Sequence, residues 1–285
     1  MIPILSKKEL APSIYEMVVR HPRLAKKARP GHFVIVMTDE HGERIPLTIA
    51  DYDANAGTIT LVIMAIGTST RKLVSFNPGD ELFALIGPLG HNSEIENFGT
   101  AIMVAGGVGT APIYPIARAL KEAGCKVVSI QGARSQNLLF WQDRLRSVSD
   151  DYIIMTDDGS AGTKGLVTDA LRELLQDNVP KLGTPEAVGC IYTIGPAIMM
   201  KFCAETSRPF GVRTIASLNS VMIDGTGMCG GCRVRVGGKT RFTCVDGPEF
   251  DAHEIDWDIV MSRQKVYCEA ERCSLEKYVQ EHKGE

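Results

Sequence analysis

Four acidic or thiol side chains near the end of the chain have the spacing of a metal-cluster site. Asp224 is followed by Cys229 and Cys232, which gives D-x4-C-x2-C, and Cys244 comes after eleven more residues. Plant-type [2Fe–2S] sites use C-x4-C-x2-C plus a distant Cys, so Asp224 stands at the first ligand position. The glycines between these residues suit a loop that wraps a cluster and points backbone N–H groups at its sulfides. The motif therefore predicts a [2Fe–2S] cluster held by three thiolates and one carboxylate.

Three other uses of the same residues stay open on the sequence alone. Zinc also takes tetrahedral thiolate sets, a CxxC pair can act as a redox dithiol, and thiols in a loop can simply be free. Cys268 and Cys273 share the x4 spacing, but they lie in a polar, helical segment, and we interpret them as bystanders. His253 is interpreted as a turn residue. The remaining cysteines are interpreted as small core residues, namely Cys125, Cys190 and Cys203.

A glycine-rich turn in the middle of the chain predicts a dinucleotide site. The run Gly106-Gly107-Val108-Gly109-Thr110 joins an apolar strand to an amphipathic helix, whose N-terminus can face a pyrophosphate. Two further turns follow apolar strands at the edge where open α/β sheets bind ligands, although each alone also suits an ordinary loop. The predicted nucleotide-binding residues are Gly106, Gly107, Gly109, Thr110, Asp157, Asp158, Gly159, Gly195 and Pro196. Arg134 is the only nearby candidate for holding a 2′-phosphate, which favours NAD(H) over NADP(H).

Two motifs in the first hundred or so residues suit another phosphate-bearing ligand. Arg44-Ile45-Pro46-Leu47-Thr48 ends a strand in our interpretation, and Arg offers a planar donor fork to phosphate. Gly67-Thr68-Ser69-Thr70 joins a strand to a helix start, whose unpaired N–H groups and dipole favour a pyrophosphate. Each motif alone is also consistent with a plain strand end or a helix N-cap. In this order, with Gly87-Pro88 following, they predict a flavin site.

The elements that must position these residues fall into three regions. Up to about residue 98, β-branched runs between turn signals predict antiparallel strands, with a helix start near 68–74. Over 99–214, strands alternate with helices, as in a doubly wound parallel sheet. Beyond 214, short strands over 232–236 and 240–244 precede a polar helical tail. The predicted fold class is β + α/β, with an antiparallel FAD-binding β-barrel (1–98), a Rossmann-like parallel-sheet nucleotide domain (99–214) and a small C-terminal [2Fe–2S] domain (215–285).

Composition excludes several classes of protein. Lys and Arg number 31 against 34 Asp and Glu, and the net charge of −3 argues against a nucleic-acid surface. No apolar run approaches the length of a membrane span, and the N-terminus does not read as a secretory signal. Eight cysteines are too few for a disulfide scaffold in 285 residues, so we expect a reduced, cytoplasmic chain.

Together the motifs resemble the ferredoxin reductase-like flavoprotein superfamily. Its members carry Arg-x-Pro-Leu-Ser/Thr at the flavin, a Gly-x-x-Thr-type phosphate turn, a Gly-Gly-x-Gly-x-(Thr/Ala)-Pro turn and an Asp-Asp-Gly-Ser loop. Ile194 here replaces a Cys that the superfamily has before Gly195. The resemblance implies that FAD is held by Arg44, Pro46, Leu47, Thr48, Gly67, Thr68, Ser69 and Thr70. No catalytic acid or base is expected, because hydride chemistry is carried by the cofactors.

The order of the three regions narrows the resemblance. With the barrel first, the nucleotide domain second and the cluster domain last, the chain is similar to the electron-transfer subunits of type B dihydroorotate dehydrogenase, which have four Cys at the cluster. Asp224, with the DGTGMCGGCRV and CVDGPEFDAH segments, more closely resembles the small (alpha) subunits of NADH-dependent reduced ferredoxin:NADP oxidoreductase, also described as sulfide dehydrogenase subunits. This implies an electron-bifurcating heterodimer with a larger FAD/[4Fe–4S] subunit, similar to the small subunit of glutamate synthase, through which ferredoxin reacts. The alternatives are a dihydroorotate dehydrogenase partner, or a non-catalytic zinc-bearing binding module.

Overall fold

Residues 2–89 form a seven-stranded antiparallel sheet in the computed structural model, which describes residues 1–178, 184 and 187–281. The elements are β1 (Ile2–Ala11), β2 (Ile14–Arg20), α1 (Pro22–Lys27), β3 (Phe33–Met37), β4 (Ile45–Asp53), β5 (Thr58–Met64), α2 (Thr68–Ser75), β6 (Glu81–Leu82) and β7 (Ala84–Leu89). The strand order is β6-β1-β2-β5-β4-β3-β7. Phe83 alone separates the two edge strands along the chain, so the sheet curls into a nearly closed barrel around buried aliphatic side chains. The predicted antiparallel barrel is confirmed.

The Arg44–Thr48 motif opens a strand instead of ending one, so that detail of the prediction is wrong. β4 begins at Ile45, and Pro46 lies opposite Ile35 in the β3–β4 ladder. Apolar side chains recur at every second residue from Ile45 to Ile49, which is fully buried. This period of two is that of a strand, so the strand continues beyond the motif. The predicted helix start is confirmed, because α2 begins at Thr68.

Residues 100–217 form a parallel sheet flanked by helices. Its elements are β8 (Thr100–Gly106), α3 (Thr110–Glu122), β9 (Lys126–Ala133), α4 (Gln142–Ser147), β10 (Asp151–Thr156), β11 (Thr163–Lys164), α5 (Val167–Asn178), β12 (Val188–Ile194), α6 (Ala197–Ser207) and β13 (Arg213–Ser217). The parallel strands lie in the order β11-β10-β9-β8-β12-β13. This is the predicted doubly wound arrangement, and it places the ends of β8, β10 and β12 along one edge.

The C-terminal segment joins this sheet rather than standing apart from it. It contains β14 (Arg233–Val236), β15 (Lys239–Phe242), α7 (Thr243–Asp246), β16 (Glu249–Asp251), α8 (Trp257–Gln264) and α9 (Cys268–Glu281). β14 and β15 form the predicted hairpin, whereas β16 pairs antiparallel with β13 at the edge of the parallel sheet.

The second short strand predicted here, 240–244, ends two residues beyond the observed end of β15 at Phe242. Thr243 donates its backbone N–H and its hydroxyl to the carbonyl of Cys232, at 3.1 and 3.0 Å. These bonds continue the register of the β14–β15 ladder by one pair. The chain nevertheless enters α7 at Thr243, where the Asp246 carboxylate accepts from the N–H of Phe242 at 2.6 Å. The helical tail is confirmed as α8 and α9, while residues 282–285 lie outside the described part of the chain. No helix in the described ranges has the length and apolar character that a membrane span requires.

Candidate functional site

The four predicted cluster ligands lie on the 224–232 loop and at the start of α7. The sulfurs of Cys232 and Cys244 are 3.2 Å apart, and both side chains are buried. Cys229 is exposed, and its sulfur accepts a hydrogen bond from the N–H of Gly231 at 3.4 Å. The structure therefore brings two of the predicted thiols together, Cys232 and Cys244, while Cys229 lies on the exposed loop that precedes them.

Asp224 is bound within its own loop. Its carboxylate accepts hydrogen bonds from the backbone N–H groups of Thr226 (2.5 Å) and Cys229 (2.7 Å). These bonds, the Thr226 N–H foremost, lower the pKa of the Asp224 carboxyl to about 2. In the described part of the chain, no three His, Cys, Asp or Glu side chains converge as a formed metal site. The donor set itself, three thiols and one ionised carboxylate on a glycine-rich loop, fits an iron–sulfur cluster.

The cluster loop rests on the barrel next to the predicted flavin strand. Gly225 adopts φ +77°, and a Cβ there would lie 2.7 Å from a methyl group of Leu89 and 3.1 Å from the Ile35 side chain. Cys232 and Cys244 pack with Ile35 in one apolar cluster. Because β3 pairs with β4, a single strand separates the cluster loop from the motif that begins at Arg44.

The two predicted flavin motifs meet at the N-terminus of α2. The hydroxyl of Ser69 donates to the carboxylate of Glu43, so the turn before β4 reaches the first turn of this helix. Arg44 is exposed and makes no ion pair with any described residue. The nearest atom to a Cβ built on Gly67 is 3.9 Å away, so the turn is open. The Glu43 carboxylate shows that this helix N-terminus accepts an anion, and a flavin phosphate there would take the place of that carboxylate. The exposed Arg44 guanidinium supplies a positive charge beside the turn, which fits a phosphate.

The other predicted flavin residues lie on β4 and at the start of α2. Side chains alternate between the two faces of β4, and Leu47 packs against the barrel core. Pro46, Leu47 and Thr48 are half-buried on β4. The Thr68 hydroxyl lies 3.1 Å from the hydroxyl of Ser274 on α9. No local sequence pattern predicts this contact, because the two residues are 206 positions apart.

The turns after β8 and β12 pack together, as the shared sheet edge predicts. A Cβ on Gly109 would lie 2.1 Å from the carbonyl oxygen of Ile194, and one on Gly195 would lie 3.1 Å from the Cα of Gly106. Gly107 has φ +54° and no atom within 4 Å of a built Cβ. Its backbone is therefore open to a ligand, which fits a nucleotide phosphate.

Two predicted nucleotide residues are engaged in protein contacts. Thr110 is buried, and its hydroxyl accepts from the Gln131 side chain at 3.0 Å. Asp158 accepts from both the hydroxyl (2.6 Å) and the N–H (2.9 Å) of Ser160, and this hydroxyl lowers the pKa of Asp158. Both residues shape their turns. Three other predicted nucleotide-binding residues are exposed to solvent, namely Asp157, Gly159 and Pro196. Gly159 has φ +77°, and Pro196 is the N-cap residue of α6.

Comparison with known proteins decides the family. Residues 103–205 match the oxidoreductase NAD-binding domain, and residues 219–256 match the iron–sulfur cluster binding domain of dihydroorotate dehydrogenase B. An electron transfer subunit homolog of dihydroorotate dehydrogenase B (NAD(+)) from Thermotoga maritima is 44% identical over 276 residues, which are 97% of this chain and 95% of that protein. The chain belongs to the dihydroorotate dehydrogenase B electron transfer subunit family. The electron transfer subunit from Bacillus mycoides is 30% identical over 263 residues, covering 88% of this chain and 96% of its own length.

Solved structures agree with this electron transfer subunit family. A chain from the structure of an NADH-dependent reduced ferredoxin-NADP oxidoreductase, described for its flavin-based electron bifurcation, superposes with a TM-score of 0.90 and 43% identity over 98% of both chains. Phthalate dioxygenase reductase, at 16% identity and a TM-score of 0.55 over 92% of this chain and 79% of that one, shares the fold alone. The chain is thus an oxidoreductase electron-transfer subunit with iron–sulfur and nucleotide or flavin sites. The iron–sulfur match over 219–256 favours iron over zinc at the cysteine loop.

Proposed function

We propose that this subunit moves electrons between NAD(H), FAD and a [2Fe–2S] cluster within an electron-bifurcating NADH-dependent reduced ferredoxin:NADP oxidoreductase. The observation that carries the proposal is the packing of Gly225 in the cluster loop against Ile35, whose neighbour across the ladder is Pro46 of the flavin motif. One strand between two redox sites is an arrangement that suits electron transfer. The overall similarity to the bifurcating oxidoreductase chain, 43% identity over 98% of both chains, supports the choice of complex.

Each module of the chain has its own task. Residues 1–98 would hold FAD, with Arg44 and the Gly67–Thr70 turn at its phosphates and Pro46–Thr48 along β4. Residues 99–214 would hold NAD(H) on the open turn at Gly107, against which the Gly195 turn packs closely. When bound, the flavin exchanges a hydride with the nicotinamide and single electrons with the cluster. No side chain is assigned as a general acid or base.

Residues 215–285 would hold the cluster through Asp224, Cys229, Cys232 and Cys244. The two buried thiols would anchor it on the barrel side, and exposed Cys229 would face outward. All eight cysteines are free, which is consistent with a reducing, cytoplasmic location.

The exposed side of the cluster loop suits contact with a partner subunit. Met228 is 89% exposed and Ile223 is 51% exposed, and Val221 and Val245 are each 38% exposed. Apolar side chains grouped on a surface mark an interaction site. The proposed partner is a larger FAD/[4Fe–4S] subunit in a heterodimer, through which ferredoxin reacts.

Co-purification of the tagged full-length chain from its native host tests this function. The expected complex contains a larger flavin and iron–sulfur subunit, reduces a one-electron acceptor with NADH, and reduces NADP when NADH and reduced ferredoxin are both supplied. A chain that binds no FAD, or that holds zinc without iron and acid-labile sulfide, would contradict the proposal.

A second candidate is electron transfer to a dihydroorotate dehydrogenase catalytic subunit. The relatives from Bacillus and Fusobacterium carry that name at 28–30% identity. The same purified complex discriminates between the two, because dihydroorotate oxidation with NAD would assign the chain to this enzyme.

A further inference from the structure

Two carboxylates of the barrel face two arginines of the nucleotide module. Asp51 at the end of β4 accepts from Arg118 of α3 at 2.8 Å, and Arg144 of α4 lies 3.6 Å from its other oxygen. Glu16 on β2 lies 3.3 Å from Arg144 and accepts from the indole N–H of Trp141 at 2.9 Å. These four ionised groups form one alternating network across the boundary between the modules.

The network is packed among aromatic rings and partly shielded from water. The guanidinium of Arg118 lies 5.6 Å from the Tyr52 ring centroid and 5.3 Å from that of Tyr114, so it bridges a barrel ring and a nucleotide-module ring. Arg144 lies 4.2 Å from the Trp141 ring. The side chains of Asp51 and Arg118 are only 22% and 28% exposed. Cation–π contacts and partial burial make this network stronger than an exposed surface pair.

The backbone at Trp141 also indicates a fixed contact. Trp141 adopts φ +54°, a left-handed conformation that bulky residues rarely adopt. Its ring is nearly buried and makes an edge contact with Tyr114 at 5.6 Å between centroids. Burial against the barrel and the bond to Glu16 compensate for the strain.

The elements joined by the Arg118–Asp51 pair also carry the two cofactor motifs. β4 holds Pro46–Thr48 of the flavin motif and ends just after Asp51. α3 begins at Thr110, in the nucleotide turn, and carries Arg118 two turns later. A strand and a helix are both stiff over such lengths, so a contact between them fixes the distance between their other ends. Hydride transfer depends steeply on that distance.

We propose that Arg118 and Asp51 are positioning residues that set the placement of the nicotinamide against the flavin. The inference rests on the proposed function, since it assumes that both cofactors bind as described. Neither residue belongs to the motifs predicted to bind the cofactors. Their contact holds β4 and α3 in the register that brings the two sites together.

Single-turnover reduction of the FAD-loaded complex by NADH and by 4-deuterated NADH tests the proposal. The Arg118→Met complex should keep its FAD content and its NADH dissociation constant within about twofold of the wild-type values. Its rate of flavin reduction should fall about tenfold or more, and the deuterium isotope effect on that rate should change. Arg118→Lys, which keeps the charge, should recover part of the rate. Lys121→Met is the matched control, because Lys121 lies on the same helix and pairs with Asp150 of its own module.

Two outcomes would overturn the inference. One is an Arg118→Met complex that reduces its flavin at the wild-type rate. The other is a fall in the flavin reduction rate that is no larger than the fall in bound FAD or NADH, because such a result indicates a purely structural role. A wild-type complex whose FAD is not reduced by NADH would instead contradict the proposed function.

Discussion

Ser93 donates a hydrogen bond of 2.6 Å to the carboxylate of Glu249, which lies 156 positions further along the chain. Ser93 follows the barrel, and its N–H donates to the carbonyl of Pro30 at 2.8 Å. Glu249 begins β16 opposite Ser217 of the nucleotide sheet. A Cβ on Gly31 would lie 2.6 Å from the Ser93 hydroxyl, so the junction has no spare room. The bond therefore joins the end of the barrel to the C-terminal segment, and the pairing of β16 with β13 joins that segment to the nucleotide sheet.

The first prediction concerns pH. Burial raises the pKa of Glu249 from 4.5 to about 7, and the hydrogen bond from Ser93 lowers that pKa in part. The folded protein thus keeps a proton that the unfolded chain has lost between about pH 4.5 and 7, so the unfolding free energy falls as the pH rises through that window. Glu249→Gln should be close to wild type at about pH 5 and roughly 1–3 kcal/mol more stable at about pH 8.

Urea denaturation at both pH values measures this effect, with exposed Glu254→Gln as the control in the same module. A Glu249→Gln protein that loses stability with pH as steeply as wild type would show that Glu249 is not the responsible group.

The second prediction concerns the thiols. Cys232→Ser should remove the cluster almost completely, because this sulfur is buried against Cys244 and no other described thiol lies there to replace it. FAD should stay bound, since its motifs are on the barrel. Iron, acid-labile sulfide and flavin content per chain are the measurements. Cys273→Ser, exposed on α9, should retain all three, and a loss of iron in that variant would mean that the ligand set is wrong.

The third prediction separates two roles of Asp224. Asp224→Cys should leave a cluster whose reduction potential and EPR spectrum are altered, because a thiolate is a softer ligand than a carboxylate. Thr226 and Cys229 donate to different oxygens of Asp224, so Asp224→Asn, with a single oxygen, can retain only one of the two loop contacts and measures the effect of losing the other. If Asp224→Cys leaves the potential and the spectrum unchanged, Asp224 shapes the loop without binding iron.

The fourth prediction uses two glycines with opposite surroundings. Gly67 has φ −112° and open space around a built Cβ, so Gly67→Val should cost no more than about 1 kcal/mol as a helix N-cap change. FAD affinity should nevertheless fall about tenfold or more, because the side chain occupies the phosphate approach. Thermal melting without FAD and a flavin titration measure the two effects.

Gly109→Ala is the contrasting variant, because its Cβ would lie 2.1 Å from the Ile194 carbonyl oxygen. It should lower the unfolding free energy by about 1–3 kcal/mol whether or not a nucleotide is present. Normal FAD binding by Gly67→Val would place the flavin phosphates elsewhere.

The parts of the fold that could be predicted from the sequence are those that short, local sequence patterns specify. Turn signals between period-two runs predict the barrel strands, and strand–turn–helix alternation predicts the parallel sheet. The predicted 240–244 strand runs past the observed end because aromatic and β-branched residues there favour a strand, whereas the bond from the Phe242 N–H to the Asp246 carboxylate closes the first turn of α7. β16 has three residues, too few for any periodicity, and its partner β13 lies far back along the chain. The pairs Glu43–Ser69 and Asp51–Arg118 depend on packing that no local signal encodes.

The pairing of β16 with β13 has a consequence for how this chain can be shortened. If the chain were cut before Glu249, β13 would become an open edge with unpaired N–H and carbonyl groups, a template for other strands. We therefore expect that the barrel and the nucleotide module, expressed without the C-terminal segment, would aggregate. Any evolutionary or engineered loss of the iron-binding end would have to be accompanied by a new cover for that edge.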